Sequence, residues 1–395
     1  MTFTVLGLTG NWYGLALAAS VLAYLCLAGV LGYVKRLPAG TVRVFALFAL
    51  PMGLVLSRAA FCLANLDYFT ETISQPLRML AFWDGGYSLL GALCGLVVAA
   101  YVASRIQKVR FGALLDVATV PLGLLLAGFR LAEGLTGQLG VGRQLDVGAL
   151  AEKMPWLFLT DHLGTLTLYR LAVYRYEAIA ALLVLAFALW LFFNRSIRRK
   201  AKLGDVAMIV FALFGASQVV LESLRDDGHM LLGFIRVQQL GYALMPILAL
   251  TVFGSRYSHI RKARNATDAA WVLLPVMALV GVLMVWPLNH VLDLSGKREL
   301  GFAALGALAI YMAIFLRVRG ANLRLILTKL VALLAIAGCV MVEFSIDGSN
   351  DLLRDYAVMA GCCLALFLAP YTLWHELRMR VYHEETIAVR IADVD

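Results

Sequence analysis

The chain has 395 residues, of which 62% are apolar and 15% charged. A soluble chain is about 45–50% apolar and roughly 25% charged, so burial in a bilayer, not in a water-soluble core, accounts for the excess. The formal net charge of +9 does not point to nucleic acid. The basic residues fall in short clusters between apolar runs, where they suit topology and anionic headgroups.

In chain order, the apolar runs long enough to span a bilayer as helices are 12–34, 44–66, 86–104, 112–131, 177–193, 206–224, 237–253, 269–290, 300–316, 325–342 and 356–374. They predict an all-α polytopic membrane protein with eleven spans. Met1 to Asn11 carries no basic stretch, so no cleavable signal peptide is expected. Basic residues cluster after every second run: Lys35, Arg36 and Arg43; Arg105, Lys108 and Arg110; Arg195 to Lys202; Arg256 to Arg264; Arg317, Arg319, Arg324 and Lys329; and the tail. By the positive-inside rule these faces are cytoplasmic, with the N-terminus outside and the C-terminus inside.

Residues 132–176 are too long and mixed for a hairpin and predict an external arm. The segment "RDDGHMLLGFIR" at 225–236 predicts a charged external loop. The six cysteines, Cys26, Cys62, Cys94, Cys339, Cys362 and Cys363, sit in apolar runs without metal-ligand spacing. They read as small core residues, with no disulfide, metal or cofactor expected.

Ionisable residues at membrane depth are costly and face a cavity or a partner. Arg58 lies within the second run, Arg130 and Glu133 close the fourth, and Gln218, Glu222 and Arg225 follow one another in the sixth. Arg130 and Glu133, three apart, share a helix face. Phe214, Gln218, Glu222 and Arg225 draw one stripe. An arginine fork suits phosphate oxygens. The plainer alternatives are an interfacial ion pair at Arg130–Glu133 and a snorkelling Arg58. Gly85, Gly86, Gly91 and Gly95 enter the third run, for close helix packing or close approach of a ligand. Tyr13 and Trp12 read by default as interfacial aromatics.

Eight segments, in order over about residues 10–254, resemble the bacterial prolipoprotein diacylglyceryl transferases: "NWYGLAL", "LSRAAFCL", "PLRMLAFWDGGYSLLGALCG", "LLDVATVPLGLLLAGFRLAEGLTGQLGVGR", "YRYEA", "LGDVAMIVFALFG", "VVLESLRDD" and "VQQLGYALMPI". The resemblance implies transfer of a diacylglyceryl group from phosphatidylglycerol, or a similar anionic phospholipid, to the cysteine thiol of a lipoprotein precursor. Glycerol phosphate leaves, and no metal or other cofactor is needed. The place is the outer face of the bacterial inner (cytoplasmic) membrane. Carried over position by position, it retains Tyr13, Arg58, Asp84, Arg130, Gly137, Arg143, Glu177, Glu222, Arg225 and Gln239. The family's histidine after the double glycine falls on Leu90. Its signature asparagines fall on Glu133 and Thr136, its glutamate on Gln138, and its tyrosine and second arginine on Phe214 and Gln218.

The reading that follows makes residues 1–254 a seven-helix transferase-like domain. A cytoplasmic linker at 255–268, a four-helix membrane domain at 269–374 and a cytoplasmic tail at 375–395 complete the chain. Arg130 and Glu133 are the expected catalytic pair. Tyr13, Arg58, Arg143, Gln218, Glu222, Arg225 and Gln239 are expected to bind substrate, and Gly85, Gly86 and Gly137 to shape backbone. Leu90 cannot accept a proton: either another residue is the base, with Glu133 the nearest candidate, or the reaction differs, or there is none. The alternative is a non-catalytic relative that binds phospholipid or a membrane partner. A small-solute transporter fits less well, because no matching pair of broken midplane helices is seen.

Overall fold

The structure, a computed structural model, describes residues 2–5, 8–65, 68–72, 75–82, 85–136, 139–145, 151, 153–163, 166–226, 231–232, 235–260, 323–345 and 352–378. Among these, eight helices are long and apolar enough to cross a membrane, and the protein is an all-α polytopic membrane protein. Seven fall on the first seven apolar runs and the eighth on the last. The run at 325–342 folds as a helix over Leu323–Ser345, but its apolar stretch, Thr328–Val340, is shorter. Lys329, counted above with the preceding loop, lies inside this helix and is buried. Leu325, Ile326 and Leu327 already carry the apolar pattern before it, so the helix starts ahead of the lysine. The runs 269–290 and 300–316 lie outside the described residues.

The chain divides into two compact units. The first, residues 1–193 with 202–210 and 224–230, begins with an antiparallel hairpin of β1 (Thr2–Val5) and β2 (Leu8–Asn11). Helix α1 (Trp12–Val34) follows, capped by the Asn11 side chain, which accepts from the Tyr13 amide. Helices α2 (Thr41–Ala64) and α3 (Leu89–Ile106) pack closely because α3 presents glycine to α2. A Cβ on Gly91 would stand 2.3 Å from the Leu56 carbonyl oxygen, and one on Gly95 2.5 Å from that of Met52. Both glycines therefore serve packing.

The fourth span is two helices in line, α4 (Phe111–Thr119) and α5 (Leu122–Glu133), interrupted at Pro121 because proline supplies no amide hydrogen. Asp116 of α4 is buried, and its carboxylate accepts from the amides of Gly204 and Ala207 at 3.1 and 3.0 Å. It thereby caps the start of α8 (Asp205–Leu224) from another helix.

Helix α6 (Val173–Phe193) lies against α5, where a Cβ on Gly123 would come within 2.4 Å of the Ala181 carbonyl oxygen. It begins four residues ahead of the predicted 177, which places Glu177 inside the helix. Between α5 and α6, strands β3 (Gln144–Leu145), β4 (Phe158–Leu163) and β5 (Leu166–Leu171) form a small antiparallel sheet in the order β3-β5-β4. Ala151, Phe158, Leu171 and Val173 give it a core of its own.

The second unit holds residues 194–201, 211–223 and 231–395. It contains α7 (Arg195–Lys200), the stretch 211–223 of α8, the short ribbon β6 (Leu231–Leu232) and β7 (Ile235–Arg236), and α9 (Val237–Ile260). Helices α10 (Leu323–Ser345) and α11 (Leu352–Glu376) follow, packed on each other, with α9 against α11. Gly215 allows residues 211–223 to meet α9, since a Cβ there would lie 2.4 Å from the Tyr242 carbonyl oxygen.

Candidate functional site

The antiparallel contact of α5 with α6 brings the end of one helix beside the start of the other. Arg130 and Glu133, one turn apart on α5, pair directly, with Nη1 to Oε1 at 2.7 Å. Arg130 Nε reaches Oε2 of Glu177 at 3.1 Å. The same Oε2 accepts from Nη1 of Arg225 at 2.7 Å, and Arg225 Nη2 reaches Oε2 of Glu133 at 3.2 Å. Two guanidinium groups and two carboxylates thus form a closed ring whose formal charges cancel. Glu177, Arg225 and Arg130 are buried, and Glu133 is half-buried. Tyr13, at the start of α1, lies close enough to feel the charges of both Glu133 and Arg130.

The predicted helical stripe does not extend to Arg225. Helix α8 ends at Leu224, and Arg225 forms a β-bridge with Gly142. Backbone hydrogen bonds from Arg143 N to Leu224 O and from Asp226 N to Val141 O hold this junction. That is why Arg225 turns to Glu177 and Glu133. For Arg143 the contribution visible here is its backbone, which also accepts from the Leu171 amide.

Arg58 is buried in different surroundings. Its guanidinium donates to the carbonyls of Met79 (Nε, 3.1 Å), Arg78 (Nη2, 3.0 Å), Gly86 (Nη1, 3.1 Å) and Gly85. It lies over the rings of Phe61 and Phe69. Its hydrogen bonds tie the backbone of residues 78–79 to that of residues 85–86. Gly85 and Gly86 have φ of +73° and +72°, a conformation that favours glycine. Beside them is a cavity of about 370 Å³ lined by Arg58, Arg78, Asn65, Phe61, Phe69 and Gly86, among others.

The remaining predicted residues lie in the second unit. Gln218 and Glu222 are buried one turn apart on α8. Arg236 Nη1 lies 3.8 Å from Glu222 Oε1, and the Gln218 amide oxygen has no hydrogen-bond partner among the described residues. Gln239 ties two backbones together, accepting from Arg236 N at 2.9 Å and donating to Val219 O at 3.2 Å. Phe214 packs edge-on to Tyr242. Gly137, Gln138 and Asp84 lie outside the described residues.

Glu177, retained in the resemblance, was assigned no role, and Arg236 was not among the expected site residues. Glu177 had a signal, a carboxylate opening an apolar run in "YRYEA". Arg236 had none beyond its place in a charged loop. Removing the Glu177 carboxylate takes the shared partner from two arginines, and breaking a buried pair on one side costs about 3–5 kcal/mol. Glu177→Gln is therefore expected to lower the midpoint of thermal unfolding clearly in detergent, and Arg105→Gln, at an exposed position, to leave it unchanged.

The fold and this ring define a polytopic helical membrane protein with a buried, charge-balanced arginine–carboxylate site. Residues 1–255 match the family model of prolipoprotein diacylglyceryl transferase, and the chain belongs to that family. A phosphatidylglycerol–prolipoprotein diacylglyceryl transferase of Lactococcus lactis subsp. cremoris is 27% identical over 259 residues, covering 64% of this chain and 91% of its own. The protein of that name from Lysinibacillus sphaericus is 26% identical, covering 65% and 92%. The one from Desulfotalea psychrophila is 31% identical over 175 residues, covering 43% and 58%.

Proposed function

We propose that this protein transfers the diacylglyceryl group of phosphatidylglycerol to the cysteine thiol of a lipoprotein precursor, at the outer face of a bacterial inner membrane. The family match and the names of the relatives support the reaction. The observation that carries it to named residues is the ring of Arg130, Glu133, Glu177 and Arg225.

In the reaction the thiol sulfur attacks the glyceryl carbon bonded to the phosphate oxygen. A C–S bond forms, the C–O bond breaks, and glycerol phosphate leaves with the bonding pair. The thiol must lose its proton, since the thiolate is the nucleophile. The departing phosphate gains charge that guanidinium donors stabilise in the transition state, where stabilisation counts towards rate.

The ring suits both demands. It is neutral at rest, and proton uptake by Glu133 makes it cationic. Arg130 then loses the charge of one carboxylate partner as the leaving phosphate gains charge. Glu133 can hand the proton on to the glycerol phosphate. Glu177 pairs with both arginines and holds them in place. In the first unit, Tyr13 and Arg143 take part in binding substrate in this reading; Gln218, Glu222 and Gln239 of the second unit stay proposed substrate residues on their own. The role of Arg58 is to shape the loop beside the cavity while Arg78 presents charge at its rim. Residues 1–254 are the transferase domain, and 269–374 a second membrane domain for packing or for a partner.

The test is complementation of a strain depleted of its own diacylglyceryl transferase. Growth and lipid-modified precursor are expected. Failure to complement, with no transfer to any lipobox peptide from phosphatidylglycerol vesicles, would favour the non-catalytic lipid- or partner-binding alternative. The basic clusters between spans further support an orientation with the N-terminus outside and the C-terminus inside. Reporter fusions after residues 36, 108, 200, 262 and 320 are expected to read cytoplasmic, and an external signal at more than one of them would overturn the orientation.

A further inference from the structure

Helices α10 and α11 lie beyond the part of the chain that matches the family, and they carry a concentration of sulfur. Cys339 and Cys363 are both buried, with their sulfurs 3.6 Å apart. Cys362 packs on Gly338, where a Cβ would come within 2.5 Å of its sulfur, and its thiol also lies within hydrogen-bond reach of Cys339. Glu343 lies one turn beyond Cys339 on the same face of α10. All six thiols of the chain are free in this structure. Among the described residues, no group of three His, Cys, Asp or Glu side chains is arranged to hold a metal.

A disulfide needs an S–S distance of about 2.05 Å. Cys339 and Cys363 would have to close by only ~1.5 Å, on helices already in contact. Because the pair is buried in apolar helices, an oxidant must approach through lipid. Closing the bond draws both protons from the thiols as the electrons pass to the oxidant. Cys362, within hydrogen-bond reach of Cys339, is a third thiol positioned to exchange with the bond once it forms.

We propose that Cys339 and Cys363 are an oxidation site, closing to a disulfide that staples α10 to α11 when a lipid-soluble two-electron oxidant of the quinone class reaches them. Both S–H bonds break and one S–S bond forms. Two electrons and two protons pass to the quinone, which leaves as the hydroquinone. The site does not depend on the transferase reading.

The full chain in phospholipid vesicles would be exposed to tetramethyl-1,4-benzoquinone, whose fully substituted ring resists thiol addition. Copper phenanthroline in air serves as a second, membrane-permeant oxidant. Free thiols are then alkylated under denaturing conditions and the peptides mapped. The expected result is loss of two alkylatable thiols and a linked Cys339–Cys363 peptide that dithiothreitol separates. Cys363→Ser should abolish the link and Cys362→Ser should leave it. A Cys339–Cys362 link instead, or no link with either oxidant, would overturn the pair. A link with copper phenanthroline alone would overturn the quinone assignment.

Discussion

Arg130→Lys is expected to lower diacylglyceryl transfer by roughly 10²–10³-fold, the range for losing one well-placed donor to a developing oxyanion. Arg130 bonds in two directions at once, through Nη1 to Glu133 and through Nε to Glu177. A lysine ammonium keeps the charge but replaces a planar fork with a single point. It could neutralise one carboxylate and would leave the other to Arg225 alone. The charge balance of the ring would survive and its geometry would not, so the unfolding midpoint should shift little while turnover falls. The measurement is initial rate with a lipobox peptide and phosphatidylglycerol vesicles, beside a thermal melt. An active Arg130→Lys enzyme would mean that the site needs only a positive charge. An active Arg130→Ala enzyme would remove Arg130 from the chemistry.

Much of this architecture was legible in the sequence, because the spans follow from one physical constraint. A backbone in lipid bonds internally, so long apolar runs become helices. The neighbourhood of Arg130 and Glu133 was legible too, since residues three apart on a helix share a face. The rest of the ring was not. Glu177 stands 44 positions beyond Glu133 in the chain, and only the close contact of α5 and α6 at Gly123 brings it within 3.1 Å of Arg130. The sixth run was placed to end at 224, as the helix does, yet Arg225 was also drawn into its stripe, because periodicity carries on past a helix end. Here the end is imposed by strand-like pairing with residues 141–143, remote in sequence. Arg58 shows the reverse failure. A buried arginine signals that it needs partners, and composition cannot say whether those are a ligand or, as found, backbone carbonyls 20 to 28 residues further along the chain.

Glu133→Gln separates binding from turnover. The amide keeps the size of the side chain and can still accept from the arginines, but it carries no charge and takes up no thiol proton. The ring then holds two guanidinium groups and one carboxylate, a net positive site, which should hold an anionic headgroup at least as well as the wild type. Loss of a positioned proton acceptor typically costs 10²–10⁴-fold. The expected result is turnover lower by about that factor, with KM for phosphatidylglycerol unchanged or reduced. Removing a purely structural partner would instead raise KM or unfold the protein, as foreseen for Glu177→Gln, whose carboxylate is the deeply buried one. A further arm uses a precursor peptide with a more acidic thiol, which needs the base less and should recover part of the lost rate in Glu133→Gln but none in Arg130→Lys. Equal recovery in both variants, or complete loss of lipid binding in Glu133→Gln, would show that Glu133 serves the ring's architecture and that the proton leaves by another route.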